Sequence, residues 1–269
     1  MKTRLAAAFL LWSCALIPAW ATSYYYVFDD GVFYIGADTL MSVMPAMNSQ
    51  STGRKAAFKY EHGCKMLVNN NLVVTPLGWD GEMLFIPDKN GNLVKPAGLV
   101  PLYAHIRSIL STTRDPDIAA NELLRAGEQT SSDLFNYRRK LGSKDVASPD
   151  ISLSIFYWRE GAIYNRVLTI KSTLHNHEHV VVSSSSAPHA LKPGHVEGYG
   201  LLDAMLLPPT PAERLLFHST ADIIPYNLNK QSDMTPDAVG PPFTIFKLSP
   251  TGGQWSSHGE MCSKNSFLK

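Results

Sequence analysis

Residues 22–38 read TSYYYVFDDGVFYIGAD, and the interpretation of the whole chain turns on them. Apolar and aromatic residues flank Asp30-Gly31, a dipeptide that tolerates the left-handed backbone a tight hairpin needs. The pattern predicts two antiparallel strands, the second running into Gly36-Ala37-Asp38-Thr39.

The residues upstream give this hairpin a chemical meaning. Met1-Lys2-Thr3-Arg4 is positive, residues 5–16 are apolar, and Ala19-Trp20-Ala21 puts small residues where signal peptidase requires them. Residues 1–21 therefore read as a signal peptide whose removal leaves Thr22 first. An N-terminal threonine carries a hydroxyl nucleophile and a free α-amine on one residue, and the amine serves as base for its own hydroxyl. That amine titrates near pH ~7.7–8.0, so much of it is unprotonated around neutrality. A rival processing event exists, because Leu11-Trp12-Ser13-Cys14 loosely imitates a lipobox. Its tryptophan fits poorly, and lipidation at Cys14 would leave Thr22 inside the chain.

Thr22, Asp30-Gly31 and Gly36-Ala37-Asp38 together resemble the opening of the proteasome β-subunit type of N-terminal nucleophile hydrolase. The resemblance implies an α+β fold, a four-layer αββα sandwich of two stacked, mainly antiparallel sheets flanked by helices. It makes Thr22 the nucleophile of amide or peptide hydrolysis and Asp38 a supporting acid. The family also places a lysine at the start of the next strand pair and a glycine N–H at the oxyanion hole. Lys65 and Gly78 are the best matches. Arg54 and Lys55 lie nearer Asp38 in sequence, and Lys59 also competes, but Lys65 keeps the lysine-to-glycine distance.

Two supporting serines of the family have no counterpart here. Tyr199 of Gly198-Tyr199-Gly200 stands at one, and Val239, between Asp237 and Gly240, stands at the other, with the Asp-to-Gly distance one residue short of the family's. Ser23, Tyr199 and Asp237 are the supporting candidates that remain. Neither the family nor the residues call for a cofactor. A peptide or acyl amide is the expected substrate, the family's habit of ring assembly implies a homo-oligomer, and export implies a periplasmic or secreted location. A non-catalytic ring or scaffold subunit and a small-molecule amidase are the alternatives on the same fold.

Composition agrees with a globular chain, 45% hydrophobic and 17% charged. Without residues 1–21 the chain has 248 residues, expected to form a single hydrolase domain over 22–269, and loss of Lys2 and Arg4 leaves 22 basic against 23 acidic residues. That near-neutrality gives no support for a nucleic-acid partner. After the signal, no apolar run reaches the ~20 residues of a membrane helix. Cys64 and Cys262 remain after cleavage; the sequence leaves open whether they form one disulfide or stay separate thiols.

Further along, residues 40–54 read as a loop, and residues 55–77 as two strands about Asn69-Asn70-Asn71 that extend the first sheet to four strands. Helices are expected over 99–111 and 117–141, parted by Asp115-Pro116. Residues 151–174 read as a hairpin turning at Glu160-Gly161. His175, His177 and His179 would share one face of an extended segment and could ligate a metal, but a polar connection explains them as well, and no metal is assigned. Residues 183–186 read as loop, and residues 211–227 as one last helix capped by Thr210, with Leu215-Leu216, Ala221-Asp222 and Ile223-Ile224 supplying its apolar face.

Overall fold

The computed structural model describes residues 23–43, 58–60, 63–78, 85–87, 93–96, 99–140, 150–200, 202–236 and 239–263. The chain is α+β, with two mainly antiparallel sheets. Strands β1 (Ser23–Asp29) and β2 (Val32–Ala37) pair from Tyr24↔Ala37 to Asp29↔Val32. Asp30 and Gly31 turn between them at φ 49° and 70°, the left-handed geometry expected of the dipeptide.

The loop expected at 40–54 is corrected at its start. Met41–Val43 is strand β3, paired with β4 (Phe58–Tyr60), while residues 44–57 lie outside the described set. Strands β5 (Leu67–Val68) and β6 (Leu72–Gly78) form the expected hairpin, tied by Asn69 Oδ1, which accepts from the N–H groups of Asn71 and Leu72. This hairpin does not extend the first sheet, however. β7 (Phe85–Pro87) and β8 (Leu93–Pro96) then form a separate pair.

Helix α1 (Leu99–Thr112) ends before Asp115, whose carboxylate accepts from the N–H groups of Asp117 and Ile118 and so starts α2 (Pro116–Lys140). β9 (Ile151–Arg159) and β10 (Ala162–His175) turn through Glu160 and Gly161 at φ 52° and 81°. β10 continues into β11 (Glu178–Ser185) through Asn176 and His177, again at positive φ. The serine run is therefore strand as far as Ser185, because Ser183, Ser184 and Ser185 pair with Ile170, Thr169 and Leu168. β12 (His189–Ala190) and β13 (Val196–Gly200) follow.

The single helix expected over 211–227 is three pieces. Thr210 and Glu213 form a reciprocal cap on α3 (Pro211–Arg214), and Ser219 and Asp222 form a second one on the 3₁₀ turn Thr220–Asp222 that leads into α4 (Ile223–Met234). Two start signals nine residues apart (Thr210 and Ser219; 219 − 210) break the helix between them. Leu215 and Leu216, expected on its buried face, are 85% and 73% exposed. β14 (Thr244–Ser249), β15 (Gly252–Ser257) and α5 (Glu260–Ser263) close the order.

The first sheet runs β13-β1-β2-β14-β15 and the second β11-β10-β9-β6-β5, with β12 on β10. β14 occupies the free edge of β2, pairing Thr244 with Ala37, and β6 finds its partner in β9, so the β5–β6 hairpin belongs to the second sheet. Alternation then sorts the side chains. Tyr24, Tyr26, Phe33, Ile35 and Phe246 join Val73, Phe156 and Ile163 of the second sheet in one apolar cluster. Tyr25 and Val27 face the other way, onto Ile224 and Leu228 of α4. Leu72, Val74, Ile155 and Ile170 pack against Leu102, Ile106 and Leu123 of α1 and α2. Each fully buried aromatic or branched side chain contributes on the order of 1.5–3 kcal/mol.

Cys64 and Cys262 form a disulfide across 198 residues of sequence. Such a bond stabilises by about 2–5 kcal/mol.

The histidine reading is corrected by the turn at Asn176-His177: the segment is not extended, so the three rings do not share a face. His179 stacks on Phe135 of α2 at 4.2 Å between ring centroids, and its Nε2 lies 2.7 Å from Ser172 Oγ. Among the described residues no three His, Cys, Asp or Glu side chains are grouped to hold a metal.

Two measurements test this packing. A methyl group on Gly36 would overlap Ile224 Cγ2, so Gly36→Ala should lower stability in urea by about 1–3 kcal/mol. Burial holds the His179 imidazole below its ordinary value of 6.5, so the unfolded chain binds more protons just below that pH. Stability should accordingly fall as pH drops through 6.5, and His179→Gln should flatten the slope of the urea midpoint against pH there.

Candidate active site

Where β1 begins, three chain segments meet on one carboxylate. Asp38 follows the last residue of β2 and is fully buried. Its Oδ1 accepts from the Ser23 N–H at 2.9 Å, and the Asp38 N–H returns toward the Ser23 carbonyl at 3.4 Å. Lys65 Nζ donates to both carboxylate oxygens, at 2.9 and 2.8 Å, from a side chain only 2% exposed. The Gly240 N–H also donates to this carboxylate, and the Thr39 N–H reaches back to the Gly240 carbonyl at 3.4 Å.

Lys65 is held there by its neighbours. Its carbonyl accepts from the Tyr24 phenol at 2.8 Å, and the preceding residue is the disulfide-bonded Cys64. Tyr24 points inward because β1 alternates, and a buried phenol requires a partner.

Electrostatics within this pocket of charge follow from burial. Desolvation is the largest influence on both partners: it lowers the Lys65 pKa and raises that of Asp38, while each partner's charge acts in the opposite sense. Desolvation also pushes the Tyr24 and Tyr103 phenols well above their ordinary range, with Asp38 adding to both. Both phenols are thus neutral, and that of Tyr24 donates to the Lys65 carbonyl.

The arrangement can hold a cation beside the peptide bond that joins Thr22 to Ser23, since the N–H of that bond is the one on Asp38. Thr22 itself lies outside the described residues, as do Asp237, Arg54 and Lys55. Lys59 belongs to β4, but its side chain is not described. Gly78 ends β6 after a register shift, paired with Ser152. Leu67 pairs with Val74, so Lys65 before the one and Gly78 beyond the other lie toward the same end of the β5–β6 hairpin.

The other candidates take different places. Ser23 is fully buried and acts through its backbone, opposite Gly200 of β13. Tyr199 pairs with Tyr24 across β1 and β13, and its ring stacks on Tyr26 with centroids 6.0 Å apart. Gly198-Tyr199-Gly200 therefore lies in an edge strand of the first sheet, and a 3₁₀ turn, Asp203–Leu206, follows it. Three participants went unread in the sequence: the N–H groups of Ser23 and Gly240, and the Tyr24 hydroxyl. Only Tyr24 left a signal, as an inward-facing aromatic with a polar tip.

Removing one partner of a buried pair leaves the other charge uncompensated, so Lys65→Met should cost about 3–5 kcal/mol of stability. The double variant Asp38→Leu with Lys65→Met should lose clearly less than the sum of the two single changes, read from urea unfolding.

In comparisons with known proteins, no protein-family model and no curated protein sequence matches this chain.

Proposed function

We propose that the chain is an exported hydrolase that cleaves amide bonds with Thr22, on a four-layer αββα sandwich of the N-terminal nucleophile type. The observation that carries the reading is the buried Asp38–Lys65 pair with Ser23 N–H on its carboxylate, because it sets a cation at the residue next to the proposed nucleophile. The helices on the outer faces of two facing sheets also support it.

In the proposed reaction, Thr22 Oγ attacks the substrate carbonyl carbon while its α-amine takes the hydroxyl proton through a water. The Lys65 charge favours the deprotonated oxygen, Asp38 orients Lys65, and the Gly78 N–H receives the oxyanion. The tetrahedral species expels the amine, which takes up the proton, and water then hydrolyses the acyl ester on Thr22. Residues 1–21 would mask the amine until export, so the enzyme is silent before cleavage.

A non-catalytic subunit of the same fold is a second reading, favoured by Tyr199, whose ring is committed to packing on Tyr26 at the family's serine position.

Mass spectrometry of the exported chain should find Thr22 first, and the rate on acyl-amide or peptide substrates should rise as the α-amine deprotonates near pH ~7.7–8.0. Thr22→Ala should lower it at least ~10³-fold with folding intact. A chain beginning at Ser23 or Cys14 would sink the hydrolase reading, and a Thr22 that a β-lactone probe leaves unmodified would favour the non-catalytic subunit.

A further inference from the structure

A second feature stands apart from the Asp38–Lys65 pair. Between the β5–β6 hairpin, α1 and the C-terminal strand lies a cleft of about 480 Å³. Buried Met66, Leu67 and Leu110 line it, with exposed Ser111 and half-buried Trp255 and Arg107. Among the described residues, no acidic side chain lines it and Arg107 is the one cation.

The walls are fixed before anything enters. Trp255 is set edge-on to Phe246 with ring centroids 5.1 Å apart, and a Cβ on Gly259 would overlap Cγ and Cβ of Trp255, so Gly259 packs directly against the base of the indole. Arg107 Nη2 donates to the Cys262 carbonyl at 3.3 Å, and the Cys64–Cys262 disulfide pins that carbonyl to the start of β5. Asn69 Nδ2 donates to the carbonyls of Leu110 and Thr113 and ties the hairpin to α1. Guanidinium, indole and aliphatic lining are thereby held in one relative position.

We propose that this cleft is a binding site for a small amphipathic anion: a carboxylate engaged by Arg107, attached to an aromatic or aliphatic body lying on Trp255, Met66 and Leu110. The volume is within the ~300–1,000 Å³ range of small-molecule sites, with mostly apolar lining and one orienting charge. A guanidinium recognises a planar carboxylate through two parallel hydrogen bonds, which selects an acid over its amide or amine. Arg107 is half-buried, and partial exclusion of water strengthens its attraction for an anion. The site needs neither Thr22 nor hydrolysis.

Calorimetric titration of the full disulfide-bonded chain with 2-naphthoate tests it, with 2-naphthamide as the uncharged counterpart. Saturable one-to-one binding of 2-naphthoate is expected, at least about tenfold tighter than 2-naphthamide. Arg107→Gln should weaken it by at least about tenfold and bring acid and amide to similar affinity. Ser111→Trp, at an exposed lining position, should abolish binding by filling the cleft, and it decides the matter if the arginine variant loses its melting transition. Equal affinity for acid and amide, no saturable binding of 2-naphthoate, or unaltered binding in either folded variant overturns the proposal.

Discussion

A carboxylate and an ammonium sealed from water dictate much of this architecture. Stripping both of solvent costs several kcal/mol per ion, and only close pairing with filled hydrogen-bonding positions offsets it. Asp38 meets that demand with donors from three remote places: the first residue of β1, Gly240 ahead of β14, and Lys65 ahead of β5. β1 and β14 belong to the first sheet and β5 to the second. The ion pair therefore fixes the two sheets at one end, which packing of apolar side chains alone would do with less geometric definition.

Three successive tyrosines illustrate how the rest is ordered around it. Tyr24 and Tyr26 enter the cluster between the sheets, whereas Tyr25 turns to α4. Each phenol finds a different partner: the Lys65 carbonyl, Gln231 Oε1 at 3.3 Å and Glu197 Oε2 at 2.8 Å. One strand thus presents polar tips to the ion pair, to a helix and to the neighbouring edge strand. A slip of one residue in register would exchange all three.

Local signals in the sequence carried the hairpins, the turn at Asp30-Gly31 and the boundary between α1 and α2, because those depend on φ preferences and caps within a few residues. The pairing of Asp38 with Lys65 was readable only through a family resemblance, since 27 residues separate them. Which sheet received β5 and β6 was not legible: it depends on the edge of β2 being taken by β14, whose Thr244 lies 207 residues beyond its partner Ala37 (244 − 37). The broken helix after Pro211 was missed for another reason. Leu215 and Leu216 stand at helical spacing from Ile223 and Ile224, but the cap at Ser219-Asp222 starts a new helix and leaves the two leucines in solvent. The histidine cluster failed on a turn that Asn176 signals and that alternation alone ignores.

The bond between Cys64 and Cys262 orders events in time as well as space. A polypeptide made from its N-terminus presents Cys64 long before Cys262, since 198 residues of sequence separate them. Gly240, the other late contributor, precedes Cys262 by a short stretch. The segment bearing Lys65 is thus clamped only after Cys262 has emerged and the two thiols have been oxidised to a disulfide. A chain cut before Cys262 would keep its hairpins yet leave the lysine's anchor unfastened.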